Sequence, residues 1–338
     1  GTVAAHADPI FKSDFDPERL LASDYIGGVV AVRKSFLGVT KAGFGLGLPD
    51  LLALGLIDTP ERVSHIPRVL FSATSHRKVD VAQRRNGIEA YMAQKGKPVR
   101  LAPVCDILGA ASETSSTVLW PVDQDSVATI IIPTRDRLDL LKPCLDSLLA
   151  NRAHNRVAMQ IVVVDHESED PRVKAYLETL VAAGTISVMP FSGAFNWSLM
   201  NNMAARHAVE GLGAQHRRDA HSLVFLNNDT VVLSPDWLDR LVGQCQRPEV
   251  GIVGARLVYA NGSIQHAGFV SRNRPDGFLT HEGVGRPGSD PGYQDRHIIA
   301  RSAIAVTGAC MALKASVFDD LGGFDAIALP GDGSDVDL

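Results

Sequence analysis

The segment that decides the fold reads Leu223-Val224-Phe225-Leu226-Asn227-Asn228-Asp229-Thr230. Its apolar half is long enough for a buried strand, and two amides and a carboxylate follow it directly. Open α/β sheets bind ligands at the carboxyl edge of their strands, so we expect Asn227, Asn228 and Asp229 to lie in a ligand site. Their oxygen atoms suit a divalent metal and a diphosphate.

Strands and helices alternate through residues 127–230, which indicates an α/β fold class with a mainly parallel sheet and right-handed crossovers. The predicted strands are 127–133, 159–165, 185–190 and 222–226, and the predicted helices are 138–149, 172–182 and 195–209. This region therefore has the pattern of a nucleotide-binding half-domain.

The pattern is less regular after Pro235. A helix is predicted to about Gln246, followed by the apolar segments 250–259 and 263–270, a strand or turn over 303–313 and a helix over 315–321. Residues 271–297 are rich in glycine, proline and charge, so we expect a long, mobile loop over the site.

Composition narrows the class of protein and its partners. A chain of 338 residues exceeds one ordinary domain, and its net charge of −5 provides no basic face for nucleic acid. The four cysteines form no metal-type pair, which favours reduced thiols in a cytoplasmic protein. No apolar run reaches the ~18 residues of a membrane span. Peripheral association with the inner face of the cell membrane would therefore need a partner or a further segment.

Short motifs stand in order along residues 127–338, and each alone is weak. They are Ile130–Asp136, Val163–Asp165, Phe195–Asn202, Leu226–Thr230, Ile264–Gly268, Thr307–Cys310, Val317–Asp325 and Asp335–Leu338. Together they resemble glycosyltransferase family 2, specifically the rhamnosyltransferase-like proteins that build bacterial surface polysaccharides. The resemblance implies a GT-A fold, a Rossmann-like mixed sheet flanked by helices.

The N-terminal third resembles the closing part of a preceding copy of the same domain. Residues 25–36 are similar in order and character to residues 307–317, and Asp50 with Leu51 corresponds to the final Asp-Leu pair. Chance similarity of two amphipathic stretches remains the alternative. We expect residues 1–111 to be a degenerate, non-catalytic remnant, residues 112–126 a polar linker, and residues 127–338 a glycosyltransferase domain truncated at its C-terminus.

The resemblance assigns a metal site. Asp229 matches the metal-binding acid of the family's Asp-x-Asp motif, with Asn227 in place of the first acid, and the ion would be Mg²⁺ or Mn²⁺. Asn228 would hold the ribose or a metal-bound water. The alternative is a turn closed by side-chain hydrogen bonds, with no ligand role.

Nucleotide-sugar contacts are predicted around the same edge. By resemblance, Asp165 reads the base, and Thr134 and Arg135 lie in the loop that wraps the nucleotide. Either Arg135 or Arg137 would pair with phosphate. His166 and Glu167 stand where relatives often carry Asn and Gly, a departure that puts the details of this loop in question.

The remaining candidates are a base and three polar contacts. Asp335 matches the acid that removes the acceptor's proton. Asn196 and Asn201, near the start of a helix, are predicted ligand contacts. His266 would contact donor phosphate or acceptor, or would be a satisfied core histidine.

These residue assignments predict an inverting, metal-dependent glycosyltransferase. It would move a sugar, rhamnose by resemblance, from a nucleotide diphosphate donor to a glycan or lipid-linked glycan acceptor in surface polysaccharide synthesis. A sugar-phosphate nucleotidyltransferase is a second hypothesis, although Pro133-Thr134-Arg135-Asp136 stands where its Gly-rich loop would be. A non-catalytic nucleotide-sugar-binding remnant is the third, because the chain stops just past Asp335.

Overall fold

The structure, a computed structural model, describes residues 10–27, 29–34, 44–68, 79–105, 107–211, 220–271, 279–331 and 333–338. The chain forms two compact units. Unit 1 comprises Gly1–Leu119 and Pro287–Ser302, and unit 2 comprises Trp120–Arg286 and Ala303–Leu338. Across the described ranges, no helix combines the length and apolar character needed to cross a bilayer.

Unit 1 contains three helices and a two-stranded sheet among its described residues. They are α1 (Pro17–Ala22), α2 (Leu48–Leu54), α3 (Val81–Gln94), β1 (Arg100–Cys105) and β2 (Ala111–Leu119). The two strands pair antiparallel. The predicted linker over 112–126 is therefore wrong in its first part, because residues 112–119 belong to β2. Its serines and threonines resemble a loop in composition, but residues 116–119 pair with residues 100–103 of β1.

A buried guanidinium ties the helices of unit 1 together. Arg84 of α3 is 4% exposed and donates to Asp50 of α2, which is 3% exposed, at 3.2 Å. It also donates to the carbonyls of Leu20, Leu21 and Ser23 at the end of α1. Asp50 therefore has a structural role in joining α2 to α3.

The segment Pro287–Ser302 is anchored within unit 1. The Asp295 carboxylate accepts hydrogen bonds from the hydroxyls of Ser112, Thr114 and Ser115 at 2.6, 3.0 and 2.7 Å. The predicted mobile loop over 271–297 is thus wrong for its second half, and residues 272–278 lie outside the described residues.

Unit 2 contains the main sheet. Its elements are β3 (Val127–Thr134), α4 (Leu138–Asn151), β4 (Ala158–His166), α5 (Pro171–Ala182), β5 (Ser187–Phe191), α6 (Trp197–Gly211), β6 (His221–Leu226), α7 (Trp237–Cys245), β7 (Ile252–Gly254), β8 (Leu257–Val258), β9 (Ile264–His266), β10 (Phe269–Ser271), β11 (Leu279–His281), β12 (Cys310–Lys314), α8 (Ala315–Leu321) and α9 (Ser334–Asp337). The six-stranded sheet has the order β5-β4-β3-β6-β12-β7. Strands β3 to β6 are parallel, whereas β12 runs antiparallel to both of its neighbours.

Both faces of this sheet are buried. Ile130 and Ile132 of β3 pack into a core with α4, α5 and α7, and Ile131 between them packs into a second core with α6 and α8. Successive strand residues point to opposite faces, so a strand covered on both sides must be apolar throughout. The predicted α/β fold with a mainly parallel sheet is confirmed.

All four cysteines are free thiols, as the sequence predicted. Cys144, Cys245 and Cys310 are buried in unit 2. Burial raises the pKa of each of these three thiols to about 12. They are therefore protonated, unreactive parts of the core rather than nucleophiles.

A glycine in α7 provides a test of this packing. A Cβ atom at Gly243 would lie 2.6 Å from the carbonyl oxygen of Trp120, which is backbone and cannot rotate away, whereas a Cβ at Gly251 would meet nothing within 4 Å. We expect Gly243→Ala to lower the free energy of unfolding by about 1–3 kcal/mol. Gly251→Ala, the matched control, should leave it unchanged. Equal denaturation midpoints for the two variants would contradict the described packing.

Candidate active site

The carboxyl ends of the parallel strands form one rim of the unit 2 sheet. Thr134, the last residue of β3, pairs in register with Asp165 near the end of β4. Leu226, the last residue of β6, pairs with Cys310, the first residue of β12. Residues that follow β3, β4 and β6, and residues that precede β12, therefore meet at this rim.

Three predicted nucleotide contacts come together there. The Asn228 side chain donates to the Thr134 hydroxyl at 2.9 Å, and Thr134 lies beside Asp165 in the sheet. Thr134 is buried, whereas Asp165 and Asn228 are half-buried. Asp165 accepts from the backbone N–H of Ser168 at 3.2 Å, which fixes its carboxylate at the open edge.

The loops after β3 and β4 are locked to each other by Asp136. Its carboxylate accepts from the backbone N–H groups of Glu169 and Asp170 at 2.7 and 2.8 Å, and its own N–H donates to the Ser168 hydroxyl at 2.8 Å. Asp136 and Arg137 both have φ of 52°, a left-handed conformation that L residues rarely adopt. Such strain persists only where surrounding bonds enforce it, and it concentrates at functional sites.

Glu167 explains the departure noted in the sequence. It stands where relatives often carry glycine, and its φ is 52°, a conformation that glycine adopts without steric cost. The backbone at Glu167 thus has a conformation that suits the glycine implied by the resemblance. The neighbouring His166 is 2% exposed, and its Nε2 lies 2.9 Å from the Gly193 carbonyl oxygen, so it connects β4 to the loop after β5.

The sequence left open whether Arg135 or Arg137 would pair with phosphate, and the structure shows different surroundings for the two. Arg137 pairs with Asp139 through two contacts of 2.9 and 2.8 Å. That interaction lowers the pKa of the Asp139 carboxyl and raises the pKa of Arg137. Arg135 is exposed one residue beyond β3. It is therefore the better placed of the two for a phosphate.

The predicted metal residues follow β6 in a tight turn. The Thr230 N–H and hydroxyl both donate to the Asn227 carbonyl, at 3.3 and 2.7 Å, and the Asn227 N–H donates to the Ala309 carbonyl at 3.1 Å. The segment is thus a turn, but no Asn or Asp side chain of the segment is shown closing it, as the alternative had supposed. Backbone groups and Thr230 close the turn, and Asp229 is exposed at its tip.

The oxygen donors at this turn suit a hard cation that brings other ligands with it. Among the described residues, no group of three or more His, Cys, Asp or Glu side chains is arranged to hold a metal. A single carboxylate with a neighbouring amide is what Mg²⁺ uses when substrate phosphates and water complete its shell. Asp229 and Asn227 therefore fit an ion that binds together with a diphosphate.

Asp335 is brought to the same rim by a backbone hydrogen bond. The Gly308 N–H donates to Asp335 Oδ2 at 2.8 Å. Gly308 precedes Ala309, whose carbonyl accepts from Asn227. A Cβ atom at Gly308 would lie 3.0 Å from the Trp197 ring and 3.1 Å from Cβ of Asp335, so the close approach favours glycine. Asp335 is half-buried, whereas Asp337 on the same short helix is exposed.

Three other candidates have structural positions instead. Asn196 caps α6, because its Oδ1 accepts from Leu199 N–H at 2.8 Å and its Nδ2 donates to the Ala326 carbonyl at 2.9 Å. Asn201 has no exposed surface and donates to the Trp197 carbonyl at 2.8 Å. The predicted ligand contact of Asn201 is corrected to a core position. Capping likewise occupies both side-chain polar atoms of Asn196.

His266 fits the core alternative. It is 1% exposed, its Nδ1 lies 2.7 Å from Nδ1 of His281, and it packs edge-on against Phe269. A nearly inaccessible ring of this kind is not placed to bind a phosphate. The predicted donor or acceptor contact is therefore replaced by a structural pair between β9 and β11.

Sequence reasoning did not assign roles to Gly308 or Asp136. Thr307–Cys310 was visible as a motif, but only the structure shows that its glycine holds the carboxylate of Asp335. Asp136 was part of a motif too. Its role depends on a backbone conformation and on partners 33 and 34 residues away, which no local pattern reveals.

The sequence pattern described as "Glycosyl transferase family 2" matches residues 129–322. This range includes every strand of the six-stranded sheet except the first two residues of β3. The chain belongs to glycosyl transferase family 2. The predicted family and enzyme class, a glycosyltransferase, are thereby confirmed. The match ends before Asp335, whose assignment depends on the geometry above.

Two curated relatives cover almost the whole of this family 2 chain. It is 33% identical over 340 residues to "O-antigen biosynthesis protein RfbC" of Myxococcus xanthus, covering 98% of this chain and 25% of that protein. It is 32% identical over 350 residues to "Uncharacterized protein y4gI" of Sinorhizobium fredii (strain NBRC 101917 / NGR234), covering 98% of this chain and 36% of that protein. The chain thus spans about a quarter to a third of these relatives.

Similarity to solved structures is weaker. The mannosyltransferase PcManGT from Pyrobaculum calidifontis, solved in complex with GDP-Man and Mn²⁺, is 19% identical, with a TM-score of 0.40. The match covers 63% of this chain and 52% of that chain. The fold described above is established by this family 2 chain's own strand order.

The locked loops provide a test of the rim. Asp136→Ala removes two backbone hydrogen bonds to a carboxylate and places alanine at a left-handed φ, so we expect the free energy of unfolding to fall by about 2–3 kcal/mol. Asp139→Ala removes an exposed ion pair and an acid from the first turn of α4, so it should lower the free energy of unfolding clearly less than Asp136→Ala does. If the two variants melt alike, the loops are not held as described.

Proposed function

We propose that this chain is the donor-binding and catalytic part of a glycosyltransferase that builds a cell-surface polysaccharide. It would move a sugar from a nucleotide diphosphate donor to a hydroxyl group of a glycan. One observation carries the proposal. A continuous series of contacts runs along the rim from Asp165 through Thr134 and Asn228 to Asn227, and from there through Ala309 and Gly308 to Asp335.

The first part of this series suits the nucleotide. Asp165, held by Ser168, offers a carboxylate oxygen to an imino N–H of a uracil or thymine base, a donor that cytosine lacks. Asn228 is oriented by its bond to Thr134 and faces the same edge. Arg135, exposed after β3, supplies positive charge for a phosphate.

The middle of the series suits the diphosphate and its metal. Asp229 and Asn227 would hold Mg²⁺ or Mn²⁺ with the donor phosphates. The bound ion would neutralise charge that develops on the departing diphosphate. Because the protein offers one carboxylate, we expect metal and nucleotide to bind cooperatively rather than separately.

The last part of the series suits proton removal. Gly308 N–H holds Oδ2 of Asp335, so Oδ1 is the oxygen that takes the proton from the acceptor hydroxyl. The carboxylate needs no unusual basicity, because the hydroxyl becomes acidic as its oxygen bonds to the anomeric carbon. A single displacement of this kind inverts the anomeric configuration. No enzyme nucleophile is required.

The sugar and the acceptor are proposed from likeness. Rhamnose is the donor sugar that the resemblance in the sequence favours, and the relative from Myxococcus xanthus is described as an O-antigen biosynthesis protein. A glycan or lipid-linked glycan acceptor is proposed from the same resemblance in the sequence. The surface carries no basic excess that would favour nucleic acid, since the net charge is −5.

The test compares two acids on the same short helix. Asp335→Asn should lower release of nucleoside diphosphate from a panel of nucleotide sugars by about 10²–10⁴-fold, because it removes the general base. Its affinity for the donor should remain, because the base-reading and metal residues are intact. Asp337→Asn, one turn or less away and exposed, should behave as wild type.

Three results would contradict the proposal. Release of pyrophosphate from a nucleoside triphosphate and a sugar phosphate, with formation of the nucleotide sugar, would identify a nucleotidyltransferase. Binding of nucleotide and metal without turnover of any donor, in the presence of glycan acceptors, would identify a non-catalytic binding module. Equal loss in the two aspartate variants would show that Asp335 has no special role.

A further inference from the structure

A groove of about 660 Å³ opens at the end of β5, the edge strand of the sheet. We call it the β5 groove; its apolar walls are Phe191, Phe195, Leu199, Met203, Ile327 and Pro330. Every side chain that lines it is uncharged. Its volume lies within the roughly 300–1,000 Å³ usual for small-molecule sites.

The walls of the β5 groove are exposed to an unusual degree for apolar residues. Phe195 is 63% exposed and Ile327 is 96% exposed, with Leu199 and Met203 on the adjoining face of α6. Single exposed apolar residues are ordinary, but a contiguous set that lines a concavity marks a binding surface. We therefore expect the groove to bind a ligand.

The groove is built on a fixed support. The carbonyl of Pro330 accepts from Trp197 N–H at 2.6 Å, the Ser198 hydroxyl donates to the Leu329 carbonyl at 2.5 Å, and the Asn196 side chain donates to the Ala326 carbonyl. These bonds join the segment before α9 to the first turn of α6. The two walls are thus held at a set separation before any ligand arrives.

The same support connects the groove to the candidate base. Trp197, whose N–H bonds to Pro330, also contacts Gly308, the residue that holds Asp335. Phe195 lies 3.6 Å from the position of a Cβ on Gly331, four residues before Asp335. One end of the groove therefore borders the place where the acceptor hydroxyl must lose its proton.

We propose that the β5 groove binds the acceptor, through the apolar face of a neutral sugar ring adjoining the reacting hydroxyl. This inference rests on the proposed function. The donor's diphosphate is excluded as the occupant because it needs positive charge or metal, and the lining offers neither. Pro190 of the lining pairs in the sheet with Asp165, so the rival occupant is a nucleobase. A loss of affinity for nucleoside diphosphate in Phe195→Ala would identify that occupant and overturn the inference. A sugar ring has a face of C–H groups that packs against an exposed aromatic side chain such as Phe195. A 6-deoxy sugar presents more of that apolar surface than a sugar with a C6 hydroxyl.

The test measures acceptor binding directly, so it needs no turnover. Ligand-observed NMR of the intact chain would compare methyl glycosides of a 6-deoxyhexose and of its 6-hydroxy parent. We expect both to bind, with the deoxy glycoside binding more tightly. Phe195→Ala should weaken binding about tenfold, the equivalent of about 1.4 kcal/mol. Ile327→Ser is a second variant at a surface position, where folding does not depend on the side chain.

The control is Val181→Ala, an exposed apolar residue on α5, which should leave glycoside binding unchanged. Affinity for nucleoside diphosphate with Mn²⁺, measured by calorimetry, should stay within about twofold in Phe195→Ala if the groove is separate from the donor site. If the wild type does not bind nucleoside diphosphate with Mn²⁺, the proposed function is wrong. If Phe195→Ala and Ile327→Ser both leave glycoside binding unchanged, only the assignment of the β5 groove is wrong.

Two other occupants would overturn the inference. If octyl glycosides of any sugar bind equally well and methyl glycosides do not, the groove holds a hydrocarbon tail. If the chain forms dimers at low concentration that Phe195→Ala dissociates, the groove is a contact between copies. Binding of methyl glycosides that depends on Phe195 and on the C6 substituent supports the acceptor assignment.

Discussion

The antiparallel pairing of β12 with β6 is the constraint on which the candidate site depends. Because β12 begins opposite the last residue of β6, the chain that enters β12 must pass beside Asn227. That passage places Gly308 where its N–H can hold the carboxylate of Asp335. Asp229 and Asp335 lie more than a hundred residues apart in sequence. They thus reach one rim through ordinary strand register rather than through a dedicated loop.

The rim combines this register with local strain. Asp136, Arg137 and Glu167 all adopt left-handed conformations directly after parallel strands. The regular strands determine where the chain reaches the rim, and the strained turns determine its direction after each strand. Hydrogen bonds that the Asp136 carboxylate accepts from backbone N–H groups of the next loop offset part of that strain. The result is a pair of fixed loops around the proposed nucleotide, with the apolar groove beyond β5.

Most of the fold of unit 2 was predictable because a doubly covered sheet forces apolar strands such as Val127–Thr134. The meeting of Thr134, Asp165 and Asn228 followed from the shared edge of parallel strands. Burial of Asn201 and His266 was not predictable, since a polar residue looks the same in sequence whether it binds a ligand or satisfies a core partner. The anchoring of Asp295 by three hydroxyls could not be predicted from local sequence, because its partners lie about 180 residues earlier.

The central claim is that the turn after β6 holds a metal and a diphosphate at the rim. The most direct measurement is a crystal structure of this chain with Mn²⁺ and the nucleoside diphosphate that binds best, with data collected at the manganese absorption edge. The account predicts an anomalous peak within coordination distance of the Asp229 carboxylate and of both phosphates, with the base next to Asp165. A peak elsewhere, or a nucleotide bound away from Asp165 and Asp229, would contradict it.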